Sequence, residues 1–197
     1  MTDHLTHYPY EITSDDRKAM KGHNAFLVLF TGLSGAGKST LANALEERLY
    51  REQIHTYVLD GDNIRHGINR NLGFSPEDRS ENNRRIGEIS KLFIDAGIVV
   101  LAAFVSPYEK DRNLIKETVG ADHFIEVFMN TSLKECERRD VKGLYKKARA
   151  GIITNMTGIS APYEVPEHPD VELTELNSVE DSVALIFNRI KSKLVIE

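Results

Sequence analysis

One short stretch limits this chain more than any other: "GLSGAGKST", Gly32 to Thr40, set at the end of the apolar run Phe26–Phe30. Its spacing, Gly32-x-x-x-x-Gly37-Lys38-Ser39, is the Walker A pattern, in which glycines let backbone N–H groups turn inward and form a concave anion site. Leu41, Leu45 and Leu49 follow at helical spacing, so the stretch reads as strand, phosphate loop, helix. Gly32, Ser34, Gly35, Ala36, Gly37, Lys38, Ser39 and Thr40 are the expected contacts to a nucleoside triphosphate. Within that set Lys38 is placed to reach the β- and γ-phosphates and Ser39 to ligate Mg²⁺, and the positive end of the helix beginning near Lys38 adds its field. The loop names a donor of phosphoryl groups and leaves the acceptor open.

Length and charge bound the rest. A chain of 197 residues fits one domain large enough to bury a sheet with helices on both faces. The formal net charge of −5 argues against nucleic acid as the main partner, because binding a phosphate backbone needs a basic surface. One cysteine, Cys136, excludes an intramolecular disulfide, and the first twenty residues lack the apolar core of a signal peptide. No run reaches membrane-spanning length, and a cytoplasmic protein with no membrane partner is the expectation. The seven histidines, His23, His66 and His168 among them, lack paired metal-ligand spacing.

Further along, "HTYVLD" (55–60) reads as a second strand, and Ser75, Pro76 and Asp78 mark a helix start with a capping box. That helix should run to about Ala96 and stop at Gly97. "IVVLAAFV" (98–105) is apolar throughout, as for a strand covered on both faces, and is expected to be central. "HFIEVFMN" (123–130) is another strand, Ser132 with Glu135 opens a further helix in capping-box style, and a weaker strand near 171–173 precedes a closing helix over 178–193. Strands alternating with helices imply an α/β fold, a doubly wound parallel sheet with helices on both faces, whose ligands sit beyond the C-terminal strand ends. Residues 1–22 read as an N-terminal extension and 23–197 as a single domain, with a basic lid over about 138–165.

Three groups could choose the acceptor. Asp60 and Asp62 follow a strand with Gly61 between them, where they can approach a Mg²⁺-bound phosphate and the attacking hydroxyl; an Asp-Gly turn that bonds only backbone is the alternative. Asp62 is the candidate for orienting the nucleophile, and Asp60, with Ser39, for the metal. Arg79 and Asn82 project from one helix face, with Arg65 preceding them, and guanidinium forks suit an anionic acceptor; charge pairs on an exposed face, such as Glu81 with Arg84 or Arg85, are the other reading. Phe74 is either a hydrophobic staple or a surface on which a base stacks. "RRDVKGLYKKARAG" (138–151) is basic in an otherwise acidic chain, which suits a lid that neutralises a transferring phosphoryl group, or else a solvated helix.

Taken together and in this order, "GLSGAGKST", "DGDNIRHGINRNLGF", "DRSENNRRI", "FVSPY" and "DVKGLYKKARAG" resemble the adenylylsulfate kinases, members of the P-loop kinases, over about residues 23–164. The resemblance implies ATP with Mg²⁺ as the donor and adenosine 5′-phosphosulfate as the acceptor, phosphorylated on its 3′-hydroxyl. It places Asp62, Asn63, Ile64, Arg65, Phe74, Arg79, Asn82, Val105, Ser106, Lys142, Asn155 and Met156 against that acceptor. It makes Lys38, Asp62 and Ser106 catalytic, Ser106 matching a serine described in the family as a phosphoserine intermediate, although Asp62 offers a direct in-line route. It further implies a homodimer, and a stand-alone kinase, since 197 residues leave no room for a fused partner domain. One position departs from the family: Met156 stands where a phenylalanine usually precedes Thr-Gly, and it is expected to form one wall of the base site opposite Phe74. A kinase for a nucleoside monophosphate or sugar acid, and a nucleotide-binding module without turnover, are the competing readings.

Overall fold

The computed structural model describes residue 6 and residues 8–196. In chain order the elements are α1 (Ser14–Lys21), β1 (Leu27–Gly32), α2 (Lys38–Arg51), β2 (Thr56–Asp60), α3 (Gly61–His66), α4 (Pro76–Asp95), β3 (Val99–Ala103), α5 (Glu109–Val119), β4 (Phe124–Asn130), α6 (Leu133–Arg139), α7 (Leu144–Arg149), β5 (Val171–Thr174) and α8 (Val179–Leu194). The five strands form one parallel sheet in the order β2-β3-β1-β4-β5. Among the described residues no helix is long and apolar enough to cross a membrane.

Side chains of β1 alternate between two cores, as strand geometry requires. Phe26, Val28 and Phe30 join Leu41, Leu45, Ile186 and Ile190 under α2 and α8. Leu27 and Leu29 join Ile86, Ile115 and Phe124 under α4 and α5. A strand with both faces covered has no polar alternation to show, which is why β1 and β3 read as unbroken apolar runs. The middle position belongs to β1, however, and β3 is its interior neighbour. Successive crossovers go first to one side of β1 and then to the other, so the phosphate loop opens at the switch point of the sheet. The C-terminal ends are stitched together there, Thr31 Oγ1 donating to the Val105 carbonyl at 2.8 Å.

Neither expected capping box closes. Ser75 accepts from the Asp78 N–H, but the Asp78 carboxylate turns to the N–H of Gly73 and fixes the preceding loop instead. Ser132 accepts from the Glu135 N–H, while its own N–H is taken by Glu175 and Glu135 is drawn to Arg138 and Arg139. A closed box does occur at α1, between Thr13 and Asp16. This helix docks on the end of α4, Arg17 reaching Asp95 at 2.8 Å.

Candidate active site

The phosphate loop is held by its carbonyls. Those of Gly32 and Leu33 accept from Lys38 Nζ at 2.9 and 2.7 Å, that of Ser34 from the Tyr145 hydroxyl at 2.8 Å, that of Gly35 from Arg139 at 3.4 Å, and that of Ala36 from Thr131 at 3.3 Å. In a planar trans peptide each N–H points opposite to the preceding carbonyl, so the N–H groups of Gly35 and Gly37 are turned away from these donors. Gly32 is obligatory for a different reason: a Cβ there would sit 2.7 Å from the Met129 carbonyl oxygen. Gly37, at φ 101°, occupies left-handed backbone where α2 begins. Burial of Lys38 lowers its pKa to about 8.

Beside the loop, Ser39 Oγ donates to Asp60 Oδ2 at 2.6 Å. Asp60 also caps α3, its other oxygen taking the N–H groups of Asp62 and Asn63. A hydroxyl and a carboxylate in contact form a hard-oxygen pair of the kind Mg²⁺ uses, so the residues present fit that ion.

A cavity of about 300 Å³ joins this corner to the rest of the candidate residues. Its wall carries Ser34, Gly35, Lys38, Asp60, Asp62, Arg65, Phe74, Arg79, Asn82, Val105, Ser106, Lys142, Asn155 and Met156. Asn63 and Ile64 lie outside it, Ile64 packing on the α4–α5 core. Gly61, Asn83, Ala103, Phe104, Pro107, Leu144, Ile153, Thr154 and Thr157 also line it; none carries a charge, and most have no sequence signal to mark them. A more open groove of about 630 Å³, between the end of β4 and residues 158–165, is lined by no charged side chain and lacks the groups phosphoryl chemistry needs.

On the acceptor side Phe74 is 59% exposed, which rules out a buried staple, and two guanidinium groups flank its ring, Arg65 at 4.6 Å and Arg79 at 5.6 Å. Arg65 is held by the Gly73 carbonyl at 2.7 Å, and Arg79 by those of Phe74 and Asn155 at 3.2 and 2.9 Å. Burial lowers both arginines' pKa, and their proximity lowers that of Arg79 further. Two like charges held together in partial burial make a site that an anion relieves. Asn82 gives its Oδ1 to Asn69, so Nδ2 is what it offers the cavity.

The basic segment divides. Arg138 and Arg139 end α6 and pair with Glu135, whose carboxyl they hold down to about 2. Arg149 pairs with Glu137, and Lys142 crosses to Asp62. Asp140 caps α7 through the N–H groups of Tyr145 and Lys146, each at 3.0 Å. Met156 is 7% exposed and belongs to the α2–α8 core as well as to the cavity wall. Asn155, at φ 57°, turns the chain so that its carbonyl meets Arg79.

The chain as a whole has close relatives. The family model described as adenylylsulphate kinase matches residues 24–174. The adenylyl-sulfate kinase of Oceanobacillus iheyensis is 56% identical over 179 residues, 90% of each chain, and that of Staphylococcus haemolyticus 51% over 196 residues, 99% of this chain and 98% of its own. A solved APS kinase of Mycobacterium tuberculosis, in complex with AMPPNP and APS, superposes with a TM-score of 0.82 at 46% identity, covering 85% of this chain and 98% of that one. With that extent of identity over nearly the whole length, the chain belongs to the adenylylsulphate kinase family.

Proposed function

We infer that this chain is a kinase that transfers the γ-phosphoryl group of ATP to the 3′-hydroxyl of adenosine 5′-phosphosulfate, giving ADP and 3′-phosphoadenosine 5′-phosphosulfate. The observation that carries the reading is one cavity holding the phosphate-loop lysine, the Asp60–Asp62 pair and the Arg65–Phe74–Arg79 cluster. Phosphoryl transfer asks mainly for positioning and charge, and this cavity supplies both.

The backbone N–H groups of the loop and Lys38 take the donor phosphates. Ser39 and Asp60 would hold Mg²⁺, which when bound neutralises charge on the β- and γ-oxygens. Arg65 and Arg79 bind the phosphosulfate end of the acceptor, and Phe74 and Met156 flank its base. Asp62 orients the 3′-hydroxyl and receives its proton; its partner Lys142, carried by the segment between α6 and α7, couples that carboxylate to lid closure. Transfer is direct, because the Ser106 hydroxyl is bonded to an amide, Asn83 Oδ1 at 3.0 Å, and an amide is no base to generate an alkoxide.

The test is ADP release measured with adenylylsulfate, AMP, a sugar acid and no acceptor. Release that depends on adenylylsulfate supports the reading. Preference for AMP or a sugar acid would assign the chain another acceptor, and nucleotide binding with no turnover would make it a regulatory module. A phosphoenzyme formed with ATP alone and discharged by adenylylsulfate at the turnover rate would replace direct transfer.

A further inference from the structure

From the wall of the acceptor cavity, at Ser106 and Asn83, a buried polar chain runs inward that neither the phosphate loop nor the arginine cluster needs. Asp111, on α5 and 3% exposed, accepts from Ser80 Oγ at 3.0 Å and from Asn83 Nδ2 at 3.3 Å, both on α4. Asn83 and Ser106 are each 2% exposed, and Ser106 Oγ donates to Asn83 Oδ1. The direction of every bond follows from the first. A carboxylate has no proton to give, so the amide group facing Asp111 is the NH₂, Oδ1 therefore faces Ser106, and the serine must spend its one proton there.

The backbone of Ser106 is fixed as firmly as its hydroxyl. Its φ of 41° is left-handed, rare for a residue with a side chain, and its carbonyl is held by Arg112 Nη1 at 3.0 Å. Arg112 is itself braced by Glu126 at 2.8 Å. A strained residue clamped at its carbonyl, with its hydroxyl proton committed to Asn83, has only lone pairs left on that hydroxyl to offer the cavity it lines.

We propose that Asn83, aimed by Asp111 and Ser80, is a positioning residue that fixes Ser106 Oγ as a hydrogen-bond acceptor for a donor group of the acceptor nucleotide, the ribose 2′-hydroxyl or the adenine amino group. The proposal rests on reading this cavity as the adenylylsulfate site. It makes Asn83 a determinant of acceptor affinity with no contact of its own to the chemistry.

The test is a double-mutant cycle on Asn83→Leu and Ser106→Ala, with KM for adenylylsulfate and for ATP measured separately in each. Asn83→Leu is expected to raise the adenylylsulfate KM about 5- to 20-fold while the ATP KM stays within about 2-fold, Ser106→Ala to do the same, and the double variant to be no worse than Ser106→Ala alone. Multiplying penalties would show that Asn83 acts independently of Ser106, and KM values rising together for both nucleotides would show a merely structural role; either overturns the proposal. Asp111→Asn keeps the shape and removes the charge that orients the amide, so it should raise the adenylylsulfate KM severalfold even if Asn83→Leu does not fold, and an unchanged KM there counts against the relay. The wild-type control separates the two levels: turnover on adenylylsulfate with an additive cycle sinks only the relay, whereas no turnover on adenylylsulfate sinks the site reading beneath it. Substrates lacking the 2′-hydroxyl or the 6-amino group identify the donor, as the one whose loss costs wild type affinity and Ser106→Ala none; if neither does so, Ser106 makes no such bond.

Discussion

Lys38 shows what a single buried charge contributes. Its ammonium is satisfied by two loop carbonyls, and burial brings its pKa to about 8. Triphosphate oxygens favour the charged form, so nucleotide binding near pH 8 should take up protons, and ATP affinity should fall as pH rises through that value. Calorimetry in buffers of different ionisation enthalpy measures the uptake, and a binding heat independent of buffer would remove Lys38 as the linked group. Lys38→Ala and Asp62→Asn should each lower kcat by about 10²-fold or more in folded protein, the first by losing charge on the phosphates and the second by losing orientation of the hydroxyl. Arg79→Ala should instead raise the adenylylsulfate KM and leave that for ATP near its wild-type value; equal losses would place Arg79 elsewhere. That Lys38 and Arg79 meet on one cavity wall follows from the phosphate-loop spacing and from the helix face that Arg79 shares with Asn82. Met156 was less legible in the sequence, because the family resemblance implies a wall of the base site and says nothing of burial in the α2–α8 core. Met156→Ala should therefore weaken acceptor binding and, as a large-to-small core change, also cost about 2 kcal/mol or more of stability.

Among the elements, α7 is tied to the phosphate loop by Tyr145. Its hydroxyl donates to the Ser34 carbonyl from a site whose burial pushes the phenol well above its ordinary value, so it stays protonated as a donor at every physiological pH. Tyr145→Phe should cost about 1 kcal/mol through that unmet carbonyl, seen as a raised KM for ATP with the acceptor KM little moved. An unchanged ATP KM would mean that α7 does not help to shape the loop. Strands and long helices followed from periodicity and end signals, as at Ser75, where Ser75→Ala should lower stability by about 1 kcal/mol in denaturant unfolding. The helix α5 was not read, and the reason is physical: its buried face carries Asp111 and Arg112, whose charges disguise an inward surface built to hold the Ser106 turn. The short helix α3 escaped as well, since six residues started by an Asp60 side chain carry no usable period.

The whole molecule is a parallel sheet whose C-terminal edge does the chemistry and whose opposite end closes the core. There His23 is 1% exposed, its Nδ1–H donating to the Asn24 carbonyl at 2.9 Å and its Nε2 accepting the His55 N–H at 2.9 Å. Burial, opposed by that carbonyl and aided by nearby His55 and Lys21, lowers its pKa in the folded state. Stability from this group is thus complete above the ordinary imidazole pKa of about 6.5 and is lost as pH falls below it toward the folded value. Thermal unfolding should show a lower midpoint at pH 5.5 than at 7.5, with His23→Gln reducing the difference; an undiminished difference would assign it to other groups. The parallel sheet with helices on both faces was legible in outline, because apolar runs and crossover rules leave few topologies, but its order was not, since β1 and not β3 holds the middle. The side chains that meet across elements, Asp62 with Lys142 or Asn83 with Ser106, were not, because only the folded chain brings them together. The central claim is that one cleft seats ATP and adenylylsulfate with Asp62 at the 3′-hydroxyl. Phosphorus NMR of the product formed from ATP and adenylylsulfate decides it: one new phosphomonoester is expected, on the ribose 3′-oxygen, with the phosphosulfate intact. A new phosphate at any other position, or release of inorganic phosphate in place of transfer, would contradict it.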